Sequence, residues 1–99
     1  MKNHSKESWI RWYEDGMTFQ TMRESHEWAY SVIYNEIGNI YDGYKSKDEK
    51  IASSLVFELV RLNTFNGERF KLFSDVEKIN NQLIFKVWVK KIEGSHEDN

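Results

Sequence analysis

The stretch that decides the reading of this chain is residues 18–37, TFQTMRESHEWAYSVIYNEI. Met22, His26, Ala29, Ile33, Ile37 and, beyond the stretch, Ile40 recur at spacings of three and four. That period predicts an amphipathic helix over about 19–41. Thr18 can cap it, and Thr21-x-x-Glu24 is a second capping box inside it. No Gly or Pro interrupts the stripe, so it reads either as one long helix or as two helices with a break near 26–29.

Upstream, Trp9, Ile10, Trp12 and Tyr13 share one broad helical face, which predicts a short helix over about 5–15 ending at Gly16. Downstream, Gly38, Gly43 and Lys45-Ser46 read as a connector. Ser46-Lys47-Asp48-Glu49 then opens a helix over about 46–63, with Ile51, Leu55, Leu59 and Leu62 on its apolar face and Ala52, Val56 and Phe57 widening it. After Asn66-Gly67 the period changes to two. Residues 68–73 and 82–92 alternate as strands, and 76–79 reads as a strand turning at Asn80-Asn81 in preference to a short helix capped by Ser74. The expected fold is α+β, with helices first and an antiparallel hairpin or small sheet at the back. Residues 1–92 form the expected domain, and 93–99, EGSHEDN, the expected disordered tail.

Ninety-nine residues can bury one modest core, and an aromatic content of 15 % helps a short chain to fill it. The absence of cysteine excludes disulfides and thiolate metal sites. Neither an 18-residue apolar run nor a signal-like N-terminus is found, so the expectation is a cytoplasmic protein without membrane contact. His4, His26 and His96 lack metal-ligand spacing, and neither G-x-S-x-G nor a Gly-rich phosphate loop occurs. The chain is therefore not expected to be an enzyme, and no cofactor, metal or catalytic residue is assigned.

Charge is unevenly spread. Residues 1–43 carry Lys2, Lys6, Arg11 and Arg23 against seven carboxylates, whereas 68–92 carry six basic residues against three acidic ones. On the strand 82–92, Lys86, Trp88 and Lys90 share a face, which Arg69, Lys71 and Phe73 join if the strands pair antiparallel. Basic residues interleaved with aromatics can hold a phosphate backbone and stack a base.

Residues 11–37 resemble the helix-turn-helix of resolvase- and transposase-type DNA-binding domains and of small bacterial or phage regulators. The resemblance lies in Asp15-Gly16 before Thr18, in Met22, and in Tyr30-Ser31-Val32-Ile33-Tyr34 with Ile33 and Ile37 four apart. Arg23 stands where that family carries a small residue, and Glu27 where it carries a turn glycine. The resemblance implies a dimeric regulator of transcription that binds duplex DNA. Tyr30, Ser31, Tyr34 and Asn35 would read the groove, with Gln20, Arg23, Lys45, Lys47, Lys86 and Lys90 on phosphates. The alternative is a small protein antagonist, such as a toxin-immunity protein or a phage-encoded inhibitor of a nucleic-acid enzyme. Its acidic front and its abundant Trp and Tyr suit a protein interface with a single target.

Overall fold

The computed structural model describes residues 9–92. The fold is α+β, with strands β1 (Trp12–Tyr13), β2 (Gly43–Ser46), β3 (Phe70–Ile79) and β4 (Gln82–Lys91), and helices α1 (Met22–Asn35) and α2 (Glu49–Asn66). The strands form one mixed sheet in the order β1-β2-β4-β3. β1 runs parallel to β2, and the other neighbours are antiparallel. The parallel step requires a crossover, which α1 supplies.

The helices therefore do not precede the sheet, as the sequence suggested, but alternate with its strands. The expected helix over 5–15 is also corrected. Residues 5–8 lie outside the described residues, and Trp12–Tyr13 are a strand with their rings on opposite faces of the sheet. Arg11 fixes this strand. Its backbone N–H and Nε donate to Asp42 Oδ2 at 2.8 and 2.9 Å, and Nη2 donates to Oδ1 at 2.9 Å. The connector expected before α2 is in fact β2, and it pairs on both sides.

α1 is shorter than the apolar stripe. Thr21, not Thr18, is its cap, accepting the Glu24 N–H at 3.2 Å, and the helix is unbroken through residues 26–29. It ends at Asn35, and Gly38 turns the chain at φ 90°. α2 begins later than expected. Asp48 caps it by accepting the Lys50 N–H at 2.9 Å, and the helix runs on to Asn66. The hairpin reading of 70–91 holds, but β3 passes through residues 74–75 without a break. Asn80 and Asn81 form its two-residue turn with φ of 51° and 65°.

Both helices pack on one face of the sheet. The core joins Ala29, Val32, Ile33 and Ile37 to Ile51, Leu55 and Leu59, and closes on Tyr44, Val87 and Val89. Where the helices approach each other, small residues meet. Ser54 donates to Ser25 Oγ at 2.8 Å and Ser25 to the Lys50 carbonyl at 3.0 Å, so these fully buried hydroxyls are satisfied. Much of the aromatic content fills the β1–β2 end of this layer. Tyr13 stacks on Tyr41 with centroids 4.9 Å apart, and Trp28 meets Tyr44 edge-on at 5.2 Å. The Tyr44 hydroxyl donates to Asp15, tying the 14–21 loop to the core. Burial, reinforced by that carboxylate, pushes the Tyr44 phenol up from its ordinary value.

Among the described residues, no helix is long and apolar enough to cross a membrane.

Candidate functional site: the outer face of the sheet

Period-two alternation sends Tyr44, Val87 and Val89 into the core and their neighbours to the opposite face. On that outer face the register aligns one lateral row across all four strands. Trp12 pairs with Gly43, Gly43 with Trp88, and Trp88 with Phe73. The rings touch along this row. Trp12 meets Trp88 edge-on at 5.7 Å, and Phe73 stacks on Trp88 at 5.5 Å with 17° between planes.

Gly43 makes the row possible. A Cβ there would lie 2.7 Å from Trp88 Cβ, 2.8 Å from Trp12 Cζ3 and 2.9 Å from the Val87 carbonyl oxygen. Without a side chain at 43, the Trp12 indole lies across β2 and reaches Trp88. The Arg11–Asp42 clamp at the start of β1 holds Trp12 in this register. Hydrogen bonding from the guanidinium keeps the Asp42 carboxyl below the usual range, against the opposing effect of burial.

Lysines flank the aromatic row on both sides. One adjoining row is Lys45–Lys86–Asp75, and the other contains Lys90 and Lys71. Lys45 Nζ sits 4.9 Å from the centroid of a Trp12 ring, and Lys90 Nζ 5.9 Å from that of Trp9. Lys86 is different. Its ammonium lies 3.3 Å from Glu77 and 5.8 Å from a Trp12 ring centroid, with only 8 % of the residue exposed. It orders the platform more than it offers charge to a ligand.

The ten residues singled out from sequence do not form one site. Lys45, Lys86 and Lys90 share this outer face. Tyr30, Ser31, Tyr34 and Asn35 lie on the exposed strip of α1, in the layer on the other side of the sheet. There, Tyr30 and Tyr34 meet edge-on at 4.9 Å. The Asn35 amide donates to the Ser31 carbonyl at 2.9 Å and to Ser31 Oγ at 3.2 Å. Arg23 lies 3.6 Å from Glu27, and Gln20 is exposed just ahead of the Thr21 cap. Lys47 is exposed in the turn between β2 and α2.

Trp12 and Gly43 were not apparent as site residues, because their signal is a non-local pairing of short strands. Trp88, Lys71 and Phe73 were apparent, since alternation along β3 and β4 alone gives their common face. Among the described residues no group of three or more His, Asp or Glu is placed to hold a metal ion. Compared with protein-family models, curated proteins and solved structures, the chain matches none.

Proposed function

We propose that this chain is a nucleic-acid-binding domain whose contact surface is the outer face of the sheet, with single-stranded nucleic acid as its ligand. The observation that carries this reading is the aromatic row Trp12–Trp88–Phe73 flanked by Lys45 on one side and by Lys90 and Lys71 on the other. Aromatic faces stack bases without regard to sequence, and flanking ammonium groups track the backbone. The nucleic-acid reading thus moves from α1 to the sheet. The α1 strip has no Lys or Arg among Tyr30, Ser31, Tyr34 and Asn35, and the Asn35 amide is engaged by Ser31.

The test is anisotropy of labelled oligonucleotides at low salt, with tryptophan quenching as a second signal. The expected result is binding of a short single strand with quenching, weakened by Trp88→Ala and by Lys45→Ala/Lys90→Ala. Tighter binding to duplex DNA, lost in Tyr34→Ala or Asn35→Ala, would return the reading to α1. A folded protein that binds neither form would refute both.

A second reading, a protein antagonist that binds a single target, is favoured by the helix side. A cleft of about 110 Å³ between α1 and α2 is lined by Tyr30, Tyr34 and Phe65, with Glu58 and Arg61 beside them. Aromatic residues set beside charge suit an interface anchor. A stoichiometric protein partner lost in Tyr34→Ala, together with no oligonucleotide binding, would favour this reading over the first.

A further inference from the structure

Among the described residues the sheet has one long open edge, β3, and beside it an apolar groove. The groove, of about 670 Å³, lies between α2 and the hairpin and is lined by Ala52, Val56, Phe57, Val60, Val76 and Phe85. Phe57 is 57 % exposed, Val60 49 % and Val76 51 %. An apolar groove and an unpaired strand edge side by side call for one occupant that satisfies both. The segments that flank residues 9–92, MKNHSKES and EGSHEDN, hold one large apolar residue, Met1. Those segments are not suited to fill the groove.

The strand itself specifies a partner. The two-residue turn at Asn80-Asn81 closes on the pair Ile79 and Gln82, which exchange hydrogen bonds in a hairpin of this type. Counting back from Ile79, the odd-numbered residues turn their backbone groups to β4, and Leu72, Ser74, Val76 and Lys78 turn theirs outward. Two hydrogen bonds agree with this parity. Asp75 Oδ1 accepts the Val76 N–H at 2.8 Å, and the Asn63 side chain meets both backbone groups of Phe70, donating to its carbonyl at 3.0 Å and accepting its N–H at 3.3 Å. Phe70 is therefore taken, and the open edge runs from Leu72 to Lys78.

An antiparallel partner that is a second copy has few registers to choose from. A two-fold axis at Asp75 opposes that carboxylate to itself, and an axis at Val76 opposes Asp75 to Glu77. Any register loses the edge groups of Phe70, which Asn63 holds. An axis at Phe73 then keeps only Leu72 opposite Ser74, whereas an axis at Ser74 keeps Ser74 opposite itself and Leu72 opposite Val76 and gives up the pairing of Lys78 with Phe70. An axis at Ser74 places Lys71 beside Glu77 of the second copy and Leu72 beside its Val76, each pair occurring twice. Opposite charges meet on the outer face and apolar side chains meet on the groove side. Ser74, Asp75 and Val76 also line the groove, so this axis brings the two grooves together. The two α2 helices then close over the seam through Phe57 and Val60.

We infer that the chain forms a two-fold dimer through β3, paired antiparallel about Ser74, with Lys71 against Glu77 and the α2 grooves covering one another. The inference rests on different observations from the nucleic-acid reading and shares one residue with it, since the dimer turns Lys71 to Glu77 and leaves Lys45 and Lys90 to a bound strand. Asp75 releases the Val76 N–H to the second strand on association.

Sedimentation equilibrium of the full chain tests it. The expected result is a reversible monomer–dimer equilibrium in the wild type. Lys71→Glu and Glu77→Lys each oppose like charges twice and should weaken the dimer by on the order of tenfold or more. Ser74→Pro should do the same by removing an outward N–H, a substitution that an edge strand tolerates. Far-UV circular dichroism checks that each variant is folded. An equimolar mixture of Lys71→Glu and Glu77→Lys restores opposite charges at both pairs and should recover the dimer. A wild type that stays monomeric, including one that instead captures another protein, would overturn the inference. So would a dimer indifferent to all three variants, or a mixture of the charge variants that remains monomeric.

Discussion

Gly43→Ala tests whether the aromatic row depends on the missing side chain. The new Cβ would lie under 3 Å from three atoms: Trp88 Cβ at 2.7 Å, Trp12 Cζ3 at 2.8 Å and the Val87 carbonyl oxygen at 2.9 Å. Two of these cannot retreat, since one is a backbone oxygen and the other is bonded to a strand Cα. Overpacking of this kind costs about 1–3 kcal/mol. Losing a glycine stiffens the unfolded chain and returns about 0.4–1 kcal/mol. The net loss is then roughly 0.5–2 kcal/mol, equivalent to a fall in Tm of roughly 2–16 °C for a domain of this size. Thermal melts followed by circular dichroism measure it, and near-UV dichroism reports the Trp12–Trp88 contact. Gly16→Ala is the control. It meets nothing within 4 Å, yet its φ of 76° disfavours a side chain, so it should destabilise without altering the near-UV signal. A Gly43→Ala protein with wild-type Tm and an unchanged near-UV spectrum would refute the argument.

Asp48→Ala should cost about 1–3 kcal/mol in urea denaturation. It removes the α2 cap and also frees the Phe19 N–H, which donates to Asp48 at 2.8 Å. Asn81→Gly should raise Tm slightly, by the equivalent of roughly 0.5 kcal/mol, because φ is 65° there and glycine suits the second position of this turn. Stability should fall as pH drops below about 4. Asp42 is held low chiefly by Arg11, and Asp48 by hydrogen bonds from Phe19 and Lys50 that outweigh its burial. Carboxyls depressed in the folded state stabilise it above their unfolded pKa, and that contribution is lost as pH falls through the folded value. Denaturation across pH 2–7 checks the window, and Asp42→Asn should flatten the acid limb.

What was legible in the sequence followed the range of the interactions involved. α2 and the β3–β4 hairpin are local, so period and turn chemistry sufficed for them. β2 is four residues, GYKS, bounded by a glycine and by the Asp48 cap, and a strand that short does not display its alternation. Its neighbour β1 is shorter still and is fixed by Asp42, thirty-one positions away from Arg11. At Trp9–Tyr13 a cluster of apolar rings fits a helical face as well as a strand, and only pairing with β2 decides between them. The stripe from Met22 to Ile40 outran its helix. Ile37 reaches the core from the turn after α1, whereas Met22 and Ile40 remain 42 % and 55 % exposed. Spacing of this kind fits a helix-turn-helix and a single amphipathic helix alike, and nothing in residues 26–29 forces a turn. For the site, alternation along β4 was enough to bring Lys86, Trp88 and Lys90 together. Adding Trp12 and Lys45 required the order of the strands.

The platform also dictates how binding should respond to salt. A net charge of −2 opposes a polyanion, but many of the acidic groups, Glu24, Glu27 and Glu36 among them, lie on the helix side of the sheet. Across a fold whose thinnest extent is 18 Å, their effect at 0.1 M salt is screened over a Debye length of about 10 Å. With Lys86 held by Glu77 at 3.3 Å, the ammonium groups that the monomer offers to a strand are those of Lys45, Lys71 and Lys90. Three phosphate contacts give a slope of log K against log salt near −2 for a single strand, a loss of roughly 20-fold between 50 and 200 mM. Trp88→Ala removes stacking of about 1–3 kcal/mol per base and should lower affinity roughly 5- to 150-fold at every salt concentration, leaving the slope unchanged. Lys45→Ala/Lys90→Ala should instead bring the slope close to −0.7. A wild-type slope near zero would mean that phosphates are not the partners of these lysines. A slope several times steeper would require cationic groups beyond the sheet face. If Trp88→Ala changed the slope and the lysine pair did not, the division of labour between rings and ammonium groups derived from the register would be wrong.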